Sequence, residues 1–219
     1  MSILGNKLIE MFELMFNHQG PLNWWPGEDT FEIMIGAILT QNTAWKNVEK
    51  AITQMKEKKI LSPEAILTID EEELSQVIRP SGYHRIKAKR LKDFVKFIFE
   101  KYGANLIKMK TRPLYALRDE LLSIKGIGAE TADSILLYAL EKPIFVVDAY
   151  TKRILYRHKI ISSSKDDYED IQKLFMENLE TDVALFNEFH AQIVNIGKNY
   201  CKREPKCELC PLKDFNLKR

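Results

Sequence analysis

LLSIKGIGAETADSILLYALEKPIFVVDAYTKRI, residues Leu121 to Ile154, holds two apolar helical patterns that meet at Gly126-Ile127-Gly128. Glycines let the backbone turn tightly and approach another group with no Cβ in the way. The amides just after the turn open a helix, and their partial positive potential suits a phosphate. Tight turns between helices use the same residues, so this pair alone does not separate a DNA grip from a plain connection. Beyond the second helix the apolar run Ile144-Phe145-Val146-Val147 ends on Asp148. A carboxylate placed directly after an apolar run either caps the next helix or does chemistry, and its position leaves both readings open.

Outward from this stretch, apolar residues recur at helical spacing almost throughout. Leu8, Met11, Phe12, Met15 and Phe16 mark a first helix, followed by the loop HQGPLNWWPGED (His18 to Asp29). Asp29 or Thr30 caps a second helix, and Thr43 starts a third. Ser62-Pro63-Glu64 is a helix start with proline in the first turn. Asp70 to Glu73 has capping-box spacing. A long helix covers about Ile86 to Lys101, and later ones cover about Asp148 to Arg157, Lys165 to Leu179 and Val183 to Tyr200. Only Ile144 to Val147 reads as a strand, and it is short enough to be extended loop. The expected fold class is all-α, without internal repeats.

The chain has 219 residues, 45% of them hydrophobic and 29% charged, with a net charge of +2. That balance fits an ordinary globular protein. No run of 18 apolar residues suggests a membrane span, and no signal peptide is visible. We therefore expect a cytoplasmic, nucleoid-associated protein of bacterial or archaeal type. Charge is clustered: Arg79 to Arg90 holds five Lys/Arg and no acid, and Lys198 to Arg219 holds seven against three acids. Such clusters fit a nucleic-acid footprint, or two solvated helix faces.

A hairpin GIG followed by VVDAYTKRI resembles the helix-hairpin-helix–Gly/Pro/Asp DNA glycosylases, the superfamily that includes endonuclease III. The resemblance runs from Trp24 to Cys210, with Lys125 standing where many relatives carry proline. It implies two helical lobes. One spans 24–135, with the helix-hairpin-helix at about 115–140. The other combines 1–23 with 136–219 and ends in a Cys-containing loop. It also implies a monomer acting in base excision repair on double-stranded DNA that contains a damaged base. The hairpin (Lys125, Gly126, Ile127, Gly128), together with Gly82, would touch the backbone, and Gln41 would fill the gap left by the flipped base. The bland reading of Gln41 is an exposed helix end. Asp148 would stabilise the oxocarbenium-like sugar as the base leaves. Members that also nick the strand carry an imine-forming Lys two residues after the last hairpin glycine. This chain has Glu130 there, and glutamate forms no imine. That departure implies the monofunctional branch. The alternatives are a bifunctional glycosylase/lyase on oxidised pyrimidines that uses another Lys, and a non-enzymatic hairpin module that only binds DNA.

Trp24-Trp25-Pro26 sits in a loop, and Trp45 follows Gln41 in ILTQNTAWKN. Adjacent tryptophans in a polar loop need a cover, and plugging the core is one. With RPSG at Arg79 to Gly82, KAKRL at Lys87 to Leu91 and Phe189-His190, they resemble the 3-methyladenine DNA glycosylase III branch. There the aromatic residues, with a Lys matching Lys198, line the base pocket, which would also include Glu130. Alkylated purine nucleosides are cationic, so aromatic faces suit them. A modified Lys of that branch corresponds to Gln192 here. The cysteines Cys201, Cys207 and Cys210, as C-x5-C-x2-C-P, resemble the iron–sulfur loop of endonuclease III with one residue fewer and Asn216 in place of the fourth thiol. A [4Fe-4S] cluster with an unusual fourth ligand, a cluster-free loop and a zinc site all stay open, since such clusters take four thiolates as a rule.

Overall fold

The computed structural model describes residues 2–22, 24 and 27–215, and all regular structure among them is helical. In chain order the helices are α1 (Ile3–Gln19), α2 (Thr30–Leu39), α3 (Trp45–Glu57), α4 (Pro63–Thr68), α5 (Glu71–Val77), a 3-10 turn (Arg79–Ser81), α6 (His84–Tyr102), α7 (Leu106–Lys110), α8 (Leu114–Leu122) and α9 (Ala129–Ser134). A π-helical turn (Ile135–Ala139) continues α9, and α10 (Ala149–Arg157), α11 (Tyr168–Met176) and α12 (Val183–Asn199) follow. None of these helices is long and apolar enough to cross a membrane. The chain divides into two compact units: Pro26–Lys142, and Met1–Trp25 with Pro143–Arg219.

The unit formed by one continuous segment is built around α2, where Met34, Ile35, Ile38 and Leu39 are fully buried. A helix apolar on nearly every side belongs inside a core. Long α6 packs on it, and α4 and α5 cover α6. Asp29 caps α2 by accepting the Glu32 N–H, and Ser62 caps α4 ahead of Pro63. Asp70 caps α5 by accepting from Glu72 and Glu73, so half of the expected box is formed. Thr43 does not start α3. Its N–H closes a turn onto Thr40 O, Asn42 takes a positive φ of 53°, and the helix begins at Trp45 with no side-chain cap. Lys87 departs from both readings of the Arg79 to Arg90 cluster, since it faces inward. It is 1% exposed, and its ammonium donates to Leu39 O (2.8 Å) and Ser81 O (2.7 Å), closing the C-terminus of α2.

In the other unit α12 packs on α1 and α10. Its core holds Phe145 stacked on Phe175 at 3.7 Å, with Phe186 and Phe189 edge-on. The run Ile144 to Val147 is extended but forms no strand. Side chains of α11 satisfy its backbone instead: Gln172 donates to Phe145 O, and Tyr168 Oη accepts the Val147 N–H. With those groups paired, no sheet partner is needed. Helix α11 begins later than expected because Ser163, Lys165 and Asp166 form a local turn, in which Asp166 Oδ2 accepts the Ser163 N–H. Such side-chain bonds compete with helix.

Candidate active site

The hairpin lies wholly in the continuous unit. Helix α8 ends at Leu122, the turn runs through Lys125 and Gly126, and α9 starts after its N-cap Gly128. Gly126 has φ +89°, a conformation L side chains rarely adopt, and a Cβ there would fall 2.4 Å from Arg90 Nε. Ile127 plugs the turn with a buried side chain, leaving Lys125, Gly126 and Gly128 exposed. Arg118 donates to both oxygens of the fully buried Asp133, at 2.7 and 3.1 Å, and so ties α8 to α9. Sequence spacing gave no sign of that pair. Gln41 is no free helix end. Its Nε2 donates to Gly126 O (3.0 Å) and Thr131 Oγ1 (2.9 Å), and its Oε1 accepts from Arg90. Glu130 is exposed on the first turn of α9, and Gly82 takes φ +67° with open space beside it. Trp45 lines a cavity of about 330 Å³ together with Glu32, Glu49, Thr53 and Lys56. The Lys56 ammonium there lies 2.8 Å from Glu28 and 2.9 Å from Glu32.

The two-segment unit holds Asp148, Trp24 and Lys198. Asp148 is the N-cap of α10 in a capping box with Thr151, and its Oδ1 accepts the Thr151 N–H (2.7 Å) and hydroxyl (2.9 Å). Its side chain is 12% exposed, and Oδ2 faces His190 Nε2 at 3.8 Å. Burial pushes the carboxyl up, but the His190 imidazole and the Thr151 bonds outweigh it and hold Asp148 below the usual carboxylate value. His190 entered the sequence reading only as half of a motif. Trp24 presents its ring to the Lys198 ammonium at 5.2 Å. The approach to Trp24 is moored on α12. Gln192 donates to Gly20 O and Glu188 and accepts from Gln19, and Glu188 accepts the Leu22 N–H. Trp25, Pro26 and Asn216 lie outside the described residues.

The cysteine loop supplies three thiols, of which Cys201 and Cys210 are buried. Cys207 is exposed, Cys201 Sγ accepts from Arg157 Nη1 at 3.2 Å, and burial, with the nearby Cys201 and Cys207 thiols, pushes the Cys210 thiol up. Among the described residues no group of three His, Cys, Asp or Glu is placed to hold a metal ion. Arginines of α10 hold the loop. Arg153 donates to Cys201 O (2.7 Å) and Gly197 O (3.2 Å), and Arg157 to Lys202 O (2.7 Å) and Arg203 O (3.2 Å).

Residues 35–181 match the family described as HhH-GPD superfamily base excision DNA repair protein. A protein of Methanocaldococcus jannaschii, provisionally named a DNA repair glycosylase, is 46% identical over 213 residues, 97% of this chain and 96% of its own length. Endonuclease III of Thermotoga maritima is 29% identical over 189 residues, 85% of this chain and 82% of its own. The H. pylori 3-methyladenine DNA glycosylase, solved with bound 1,N6-ethenoadenine, aligns with a TM-score of 0.76 at 30% identity, covering 89% of this chain and 97% of that one. An endonuclease III–DNA complex shares the fold, with a TM-score of 0.81 at 23% identity over 96% of this chain and 94% of its own. With its hairpin, its capping aspartate and these matches, the chain belongs to the endonuclease III-like HhH-GPD superfamily of base excision DNA repair glycosylases.

Proposed function

We propose that this glycosylase is monofunctional and hydrolyses the N-glycosidic bond of alkylated or adducted purines, such as 3-methyladenine, in double-stranded DNA. The observation that carries this reading is the placement of Asp148: a largely buried carboxylate, fixed through one oxygen, with His190 facing the other. Base loss builds positive charge on the sugar, and a fixed anion lowers that barrier electrostatically. The electron pair of the C1′–N bond leaves with the base, water adds its oxygen to C1′, and the water proton passes to the carboxylate or to solvent. An alkylated purine starts cationic and so departs neutral. A base inside a duplex is out of reach, so the nucleotide must be flipped out first.

Glu130 supports the monofunctional half of the proposal, because a carboxylate forms no imine with the sugar. The Trp24 face, which already carries a cation, supports the purine half. So does the relative solved with ethenoadenine. In this reading the cysteine loop works without an iron–sulfur cluster.

Base release from duplexes carrying 3-methyladenine, ethenoadenine, uracil or thymine glycol tests the proposal. The alkylated or adducted purines should be released, with the strand intact until hot alkali. Asp148→Asn should bind DNA and release nothing. Nicking without alkali, with a borohydride-trapped adduct, would replace this reading by the bifunctional one. Binding without release of any base would leave only a DNA-binding module.

A further inference from the structure

The two oxygens of the Asp148 carboxylate are not equivalent. Both Thr151 bonds end on Oδ1, which leaves Oδ2 as the oxygen able to meet a developing charge. His190 Nε2 lies 3.8 Å from Oδ2. The His190 side chain is 6% exposed, and its ring is edge-on to Phe145 at 6.4 Å. An imidazole in such an apolar layer costs stability unless polar groups offset it, and the Asp148 carboxylate is the charged group that faces its Nε2.

Several other polar groups on the neighbouring elements have partners of their own. On α10, Lys152 donates to Asp166 O and Arg153 to Cys201 O. On α11, Tyr168 Oη accepts the Val147 N–H. On α12, Glu188 accepts the Leu22 N–H and Lys198 lies over Trp24. On α1, His18 pairs with Tyr200.

We infer that His190 is a positioning residue for base excision: its buried ring, with Nε2 3.8 Å from Oδ2 of Asp148, holds that oxygen in place to face the charged transition state. The inference rests on Asp148 being the reacting carboxylate.

Single-turnover base release against pH tests it, for wild type, His190→Ala and His190→Gln, alongside binding to abasic-analogue DNA. Removing the imidazole takes away the largest effect that opposes burial while the Thr151 bonds remain, so the carboxyl rises and the acid limb of the His190→Ala profile moves to higher pH. The rate should fall by up to about 100-fold with binding unchanged. Glutamine carries an N–H of similar reach and should restore most of the rate. An acid limb left at its wild-type position, or Gln no better than Ala, would overturn the inference. Nitrogen-15 spectra of the wild-type ring give a test that no variant can spoil by misfolding. Nε2 should carry the hydrogen near neutral pH, and a bare Nε2 would count against the assignment. The two failures are separable. An active Asp148→Asn protein removes the reading of Asp148 itself. An inert Asp148→Asn beside an unshifted His190→Ala profile removes only the role of His190.

Discussion

Gly197 and Tyr150 compete for one space: a Cβ built on Gly197 falls 2.2 Å from Tyr150 Cδ1 and 2.8 Å from Tyr150 Cβ. Tyr150 stands in the first turn of α10, two residues after Asp148. The Arg153 guanidinium covers its ring at 5.0 Å and donates to Gly197 O. A methyl group at Gly197 must therefore push α10 away from α12. Gly197→Ala should cost about 1–3 kcal/mol in urea unfolding. Base release should fall further than that loss explains, because Asp148 moves with its helix. Wild-type stability together with full activity would show that the two helices separate freely.

Gln41 should matter before any lesion is found. Its amide bridges Gly126 O and Thr131 Oγ1, so it ties the hairpin turn to the first turn of α9. Gln41→Ala removes both bonds and leaves Arg90 without its Gln41 acceptor. Affinity for undamaged duplex, read by fluorescence anisotropy, should fall about tenfold. A loss confined to lesion-bearing DNA would place the role of Gln41 at the flipped base alone.

The hairpin and Asp148 were legible because each sits where the backbone changes course, and such places are marked by residue type. The capping reading of Asp148 is observed, and it does not exclude the chemical one, because both Thr151 bonds of the cap use Oδ1. His190 was not legible as a partner of Asp148, since its helix face FNEFHAQIV reads as plain core and gives no distance to a residue so far back in the chain. Lys87 was hidden for the opposite reason. It lies in a run of basic residues, where only the tertiary fold shows which one turns inward to the Leu39 and Ser81 carbonyls. The Arg118–Asp133 pair likewise joins residues whose spacing carries no periodic signal.

Lys87 gives stability a pH dependence of known sign. Burial, aided by the nearby Arg90 charge, lowers its ammonium from the ordinary 10.5 to about 8. Below about 8 it is protonated in folded and unfolded chains alike. Between about 8 and 10.5 the unfolded chain holds a proton that the folded protein has released, so the Lys87 contribution to stability rises with pH across that window. Lys87→Met should be destabilised by about 1–3 kcal/mol, because two buried carbonyls lose their donor. The wild-type advantage, from urea unfolding of both proteins at about pH 7 and about pH 9.5, should widen at the higher pH. A constant or shrinking gap would contradict the lowered value.

Chelation should leave the protein unchanged. Arg153 and Arg157 hold the cysteine loop through three of its carbonyls and one sulfur, and Arg153 also reaches Gly197 O on α12. Strong chelators should therefore leave the melting temperature and base release where they were. Anaerobic treatment with iron and sulfide should add no cluster absorbance. Arg157→Ala, by contrast, should lower the melting temperature. A chelator-induced loss of stability, or stoichiometric iron with the visible spectrum of a cluster, would refute this account of the loop.

Lys198 should set the balance between charged and neutral damaged bases. Its ammonium lies over the Trp24 ring at 5.2 Å, the position a cationic base would take if it stacked there. A neutral adduct such as ethenoadenine has no charge to be repelled. A methylated purine such as 7-methylguanine has, and it must displace the ammonium or share the ring with it. Lys198→Met keeps most of the side-chain length and removes the charge. The ratio of kcat/KM for 7-methylguanine over ethenoadenine should then rise about twofold to fivefold, the scale of an exposed cation–π contact. Equal losses on both substrates, relieved at low salt, would mean that Lys198 meets the phosphate backbone instead. An unchanged ratio with unchanged rates would mean that the Trp24 face does not receive the base.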